Sequence, residues 1–102
     1  MLELRPNCEL CDKDLAPNAA DARICTYECT YCAACVDGPL NNVCPNCGGG
    51  FTPRPIRPAK AWRKGLSVDD QPASTKRIHC RYNAEELAAF SASIQAIDPT
   101  ER

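Results

Sequence analysis

The sequence is poor in the residues that build a conventional core. Its 102 residues include one Met, one Trp, two Phe, three Tyr and a single His. Apolar residues reach 44% only because nine of them are cysteines; without these the share is about a third. No apolar run approaches the roughly 18 residues of a membrane span, so no membrane association is expected. The opening Met1-Leu2-Glu3-Leu4-Arg5-Pro6 has neither the basic start nor the apolar stretch of a secretory leader. A cytoplasmic location is therefore expected, where thiols stay reduced. Nine cysteines there point to metal before disulfides.

Charge of one sign is missing in total but not by segment. Residues 1–50 hold three Lys/Arg and seven Asp/Glu, a formal −4. Residues 51–82 hold eight basic residues against Asp69 and Asp70, giving +6, and residues 83–102 come to −3. A net −1 thus hides a basic middle between two acidic ends.

Three sections follow. Residues 1–50 carry eight cysteines and end in Gly48-Gly49-Gly50. Residues 51–75 open with Pro53, Pro55 and Pro58 among Arg54 and Arg57, a density that forbids helix and predicts an extended Pro/Arg-rich linker. Residues 76–102 begin with a strand-like alternation of Ile78, Cys80 and Tyr82. A helix over 84–97 follows, with Asn83 and Glu86 spaced for a capping box. Leu87, Phe90, Ile94 and Ile97 form its apolar stripe, and Asp98-Pro99 stops it.

The cysteines run Cys8-x2-Cys11, Cys25-x3-Cys29-x2-Cys32-x2-Cys35 and Cys44-x2-Cys47. Each Cys-x-x-Cys turn puts two sulfurs on one side of a tight knuckle. Eight thiolates make two tetrahedral sites suited to Zn²⁺. Disulfides would leave one thiol odd, and an iron–sulfur reading of Cys29, Cys32 and Cys35 would leave six cysteines largely unexplained. Closed four-thiolate sites leave no position for water, so the zinc is expected to be structural and the protein not an enzyme. Such metals replace the core that so few aliphatics cannot supply.

This spacing resembles the all-cysteine RING finger over residues 8–47, about 40% of the chain. The resemblance implies a small zinc-stabilised α+β fold, a RING-like or treble-clef core with two Zn²⁺ in a cross-brace. Cys8, Cys11, Cys32 and Cys35 would hold the first zinc, and Cys25, Cys29, Cys44 and Cys47 the second. Tyr31 matches the aromatic packed between such sites. A sequential arrangement, with Cys8, Cys11, Cys25 and Cys29 forming one site, stays open beside it. In ubiquitin ligases of this type three positions recruit the conjugating enzyme. Leu10 matches one; the stretch Val36 to Val43 has no Trp, and Gly48 is not basic. A ligase-like activity therefore ranks last.

Met1 to Cys8, Ala22 to Cys25, Glu28-Cys29-Thr30 and Cys44 to Gly49 resemble a bacterial family of short cysteine-rich proteins catalogued only as a domain of unknown function. That resemblance runs from residue 1 to about 58 and implies a bacterial cytosol.

Two roles remain. The first is a non-catalytic module for an unknown protein partner, presenting Leu10, Leu40 and Val43, with the helix stripe of Leu87, Phe90 and Ile94 docking a partner or, as a homodimer, a second copy of the chain. The second is nucleic-acid binding by the basic segment 54–64, with Arg54, Arg57, Lys60, Arg63 and Lys64 on phosphates and Trp62 on a base, extended by Lys76, Arg77 and Arg81. Against the second, eight thiolates and two Zn²⁺ would add −4 to an already acidic module. Cys80, alternating with Ile78 and Tyr82, reads as a small buried residue rather than a reactive thiol, with His79 facing out.

Overall fold

The computed structural model describes residues 1–102. Strand β1 (Ala22–Ile24) pairs antiparallel with β2 (Thr30–Cys32), in the register Ala22↔Cys32, Arg23↔Tyr31 and Ile24↔Thr30. The other edge of β1 pairs with β3 (Thr52–Pro53), giving the order β2-β1-β3. Pro53 is accommodated because β3 lies at the sheet edge, where a missing N–H breaks no ladder. The turn joining β1 and β2 runs from Cys25 to Cys29, so the hairpin delivers both sulfurs at one end. Helix α1 (Ala33–Asp37) follows β2 without a break and carries Cys35.

Two backbone knuckles share one hydrogen-bond pattern. Asp12 N–H donates to Cys8 O at 2.9 Å and Cys8 N–H to Lys13 O at 2.8 Å. Gly48 N–H donates to Cys44 O and Cys44 N–H to Gly49 O, both at 2.8 Å. Closing the turn this way needs a left-handed residue after the second cysteine, and φ is +64° at Asp12 and +78° at Gly48.

Only 22 of the 102 residues are buried, and six of the twelve in the main cluster are cysteines. Tyr31, Leu15, Ala22, Val36, Leu40 and Leu87 supply the rest of that cluster. So small an apolar core leaves the sulfurs at its centre to hold the fold.

Segment 51–75, expected as an extended linker, is bound to the module instead. The Arg54 side chain donates to Arg5 O and Ala16 O, both at 2.9 Å, and is 4% exposed. Arg57 reaches Leu2 O and Gln71 O. Carbonyls that no strand or helix satisfies take these guanidinium donors, which is why the two arginines, each followed by a proline, tie the chain down rather than spacing it away.

The stretch expected as a strand over 78–82 is extended but joins no sheet. A side chain replaces part of the ladder: Asn7 Nδ2 donates to Ile78 O at 2.8 Å, and Ile78 N–H to Asn7 Oδ1 at 3.3 Å. Cys80 N–H then donates to Glu9 O at 2.6 Å. Arg77 clamps the segment to Asp12 and Asp14.

Helix α2 (Ala84–Ile94) starts with the expected capping box, Asn83 accepting from Glu86 N–H and Glu86 accepting from Asn83 N–H. It stops three residues short of the expected 97. Pro99 forces Asp98 into an extended conformation (ψ 136°), and the chain folds back into a short 3-10 turn (Pro99–Glu101). Arg102 then reaches Asn42 O and Gly48 O. The stripe is divided: Leu87 is buried and Ile94 half-buried, whereas Phe90 and Ile97 stay exposed. Ser91 completes the buried face by donating to Leu40 O at 3.0 Å.

Candidate metal centre

The first knuckle supplies Cys8 and Cys11. The end of β2 and the start of α1 supply Cys32 and Cys35. These four sulfurs all lie within 4.8 Å of one another. Cys11 Sγ and Cys32 Sγ, 21 residues apart in sequence, are separated by 3.8 Å. A tetrahedral site with Zn–S bonds of about 2.3 Å sets its sulfurs about 3.8 Å apart, the Cys11–Cys32 separation, and the other two sulfurs are close enough to complete such a site. The first pair therefore groups with the third, not with the second.

The hairpin turn and the second knuckle bring Cys25, Cys44 and Cys47 within 4.8 Å of one another. Cys29, the expected fourth ligand, lies outside that group. Its sulfur accepts from Asn46 Nδ2 at 3.3 Å. Two backbone N–H groups point at the other sulfurs, Tyr27 N–H to Cys25 and Gly49 N–H to Cys47. Such N–H donors hold the sulfurs in place.

Thiol acidity follows from this crowding. The Cys44 thiol partner, acting against burial and helped by Asn46 and Cys25, brings Cys29 down to about 5. Cys44 is pushed up by the same contact and by burial, and burial raises Cys25 to about 11. In the first group burial raises Cys8 and Cys35. Cys11 is lowered, since the Lys13 N–H and the neighbouring sulfurs outweigh its slight burial. Cys11 in the first cluster and Cys29 in the second are thus lowered beside thiols that are raised, Cys8 and Cys35 in the one and Cys25 and Cys44 in the other. A divalent cation removes that conflict, because thiolate is the ligand form.

Glu9, between the first two cysteines, couples the clusters and was not apparent from the sequence. It is 3% exposed, accepts from Arg5 Nη1 at 2.7 Å and from Thr30 N–H at 2.5 Å, and its own N–H donates to Thr30 O. Thr30 adjoins Cys29, so one carboxylate ties the first knuckle to the hairpin. Burial raises its pKa, opposed by the Thr30 N–H and by Arg5. The i,i+4 spacing of Arg5 and Glu9 is the one sequence signal that marks the pair.

The remaining candidates separate. Tyr31 is fully buried, its ring edge-on to Phe51 at 5.4 Å, and its hydroxyl has no hydrogen-bond partner. Leu40 and Val43, expected on a presenting surface, are each 1% exposed and belong to the interior. Leu10 is half-buried and lines a hollow of about 540 Å³ with Pro39, Ala84 and Leu87. Arg54 and Arg57, expected on phosphates, spend their donors on backbone carbonyls. Arg77 is paired with Asp12 and Asp14, and Arg81 lies over the Tyr82 ring. Trp62, Lys60, Arg63 and Lys64 are exposed together. Cys80 is half-buried against the core, and the His79 side chain is exposed with Nδ1 3.7 Å from Asp12.

A small α+β chain with two cysteine clusters suited to zinc is the class that this geometry defines. The chain belongs to the family described as "Protein of unknown function (DUF1272)", whose profile matches residues 1–57. It is similar to "Uncharacterized protein R02474" of Rhizobium meliloti (strain 1021), with 54% identity over 78 residues. That alignment covers 76% of this chain and 86% of the relative, so the likeness reaches past residue 57. No solved structure matches the chain at a significant level. No helix is long and apolar enough to cross a membrane.

Proposed function

We propose that the protein is a non-catalytic binding module braced by two structural Zn²⁺ ions in a RING-like cross-brace, and that it docks a protein partner in a reducing cytoplasm. Cys8, Cys11, Cys32 and Cys35 hold one ion. Cys25, Cys29, Cys44 and Cys47 hold the other, Cys29 joining the three grouped sulfurs when the ion binds. The observation that carries this reading is the grouping of the first cysteine pair with the third at tetrahedral sulfur spacing. Four thiolates close each site, so the metal supplies folding energy and no open position for chemistry.

The docking face is the groove of about 420 Å³ beside the second knuckle, lined by Pro45, Tyr82, Leu87 and Phe90. Phe90 is a large exposed aromatic on the rim of a rigid site, the side chain type that anchors interfaces. Photo-crosslinking from position 89 in cells tests this. One discrete adduct, lost in Phe90→Asp while zinc content is kept, is expected. No adduct, or an adduct indifferent to Phe90, contradicts the protein-docking reading.

A further inference from the structure

The loop from Pro58 to Val68 is not used by the metal clusters or by the groove. Val68 N–H donates to Pro58 O at 2.8 Å and closes its neck. Trp62 N–H bonds to Lys60 O, and Leu66 N–H to Arg63 O, so the tip is made of short turns. The base is anchored by Arg57 to Leu2 O and Gln71 O, and by Arg54 to Arg5 O and Ala16 O. At the tip Trp62 is 77% exposed. Around it stand Lys60, Arg63 and Lys64, all exposed and none in an ion pair, while every ion pair in the molecule involves other residues.

We infer that this loop binds single-stranded nucleic acid, Trp62 stacking on a base while Lys60, Arg63 and Lys64 contact the flanking phosphates. Exposing an indole to water is unfavourable, and a base offers it a flat apolar face. The Lys60 ammonium lies 5.5 Å from the ring centroid, so a cation sits at the stacking platform itself. No acidic residue occurs between Asp37 and Asp69 to oppose a phosphate chain. Asp69 and Asp70 stand at the neck, and the Asp70 carboxylate is engaged by the Ser67 hydroxyl at 2.7 Å. The anchored base lowers the ordering cost of binding. An anionic bilayer is the other surface to which a tryptophan among cations is suited. With Arg54 and Arg57 turned inward, three free cations fall below the roughly four to eight that mark lipid-binding clusters. Duplex is disfavoured because its bases are already stacked on one another.

Trp62 is the sole tryptophan, so its fluorescence reports the site directly. The experiment titrates the zinc-loaded full chain with a 12-mer of oligothymidylate at rising salt, beside the matching duplex and phosphatidylcholine/phosphatidylserine vesicles. Quenching by the single strand is expected, with affinity falling at a log–log slope of about −2, as three phosphate contacts give at about −0.7 each. Lys60→Ala/Arg63→Ala/Lys64→Ala should weaken binding at least tenfold at low salt. Trp62→Ala, followed by anisotropy of a labelled strand, should weaken it severalfold. Both variants should keep wild-type zinc content, because the loop is solvent-exposed. Absence of binding at low salt, equal affinity for duplex, or a blue shift on vesicles without response to the strand would each overturn the assignment. None of these results bears on the groove at Phe90.

Discussion

Cys11 and Cys32 face each other across 3.8 Å although 21 residues separate them in the chain. Their contact decides which cysteines share an ion. With the first pair joined to the third, Cys11→Ser/Cys32→Ser should damage one site and leave one zinc per chain. Cys11→Ser/Cys25→Ser should damage both and leave none. A sequential arrangement reverses the two results, so zinc stoichiometry of the paired variants distinguishes them without any structure determination.

Gly48 separates backbone strain from packing. Its φ of +78° suits glycine, and a Cβ there would lie 3.3 Å from Ile94 Cδ1. Gly65 has nearly the same φ, +80°, with nothing within 4 Å. Gly65→Ala should cost about 1 kcal/mol from backbone alone. Gly48→Ala should cost more, and hydrogen exchange should show the excess as loosening of α2. Equal costs in chemical denaturation would mean that α2 does not press on the second knuckle.

Arg54 holds the basic segment to the metal module. Arg54→Ala removes a buried guanidinium, leaving Arg5 O without its side-chain donor and Ala16 O with Ala19 N–H alone. A loss of about 2–3 kcal/mol is expected in urea unfolding of the zinc-loaded protein. Arg63→Ala, at an exposed unpaired side chain, should change stability by less than about 0.5 kcal/mol. If the two behave alike, the segment is not anchored as described.

Leu87 is the one buried apolar side chain of α2. Leu87→Ala should cost about 2–3 kcal/mol, and Asn83→Ala about 1 kcal/mol through loss of the cap. Both should leave two zincs bound, since α2 supplies no cysteine. Loss of metal from either variant would show that the helix supports the clusters more directly than its contacts indicate.

The parts of the fold read most easily from the sequence were those governed by local chemistry. The Cys-x-x-Cys turns at Cys8 and Cys44, each followed by a residue that takes positive φ, make knuckles by local chemistry alone, and Asn83 with Glu86 caps a helix within four residues of chain. The parts missed depend on distant partners. Arg54 looks like a surface cation until carbonyls 49 and 38 residues away turn out to need donors. Residues 78–82 alternate like a strand, yet the partner beside them is the Asn7 side chain, 71 residues from Ile78. Leu40 and Val43 lie between ligands, where no periodicity tells inside from outside; both are buried, Leu40 in one cluster with Leu87 of α2.

Metal content measured with native mass, on protein purified without added metal, addresses the central claim most directly. Two zinc ions per chain are expected, with loss of tertiary structure when a chelator removes them. A metal-free chain whose fold survives chelation would contradict the account, because sulfurs at the centre of so small a core would then be holding it together without an ion.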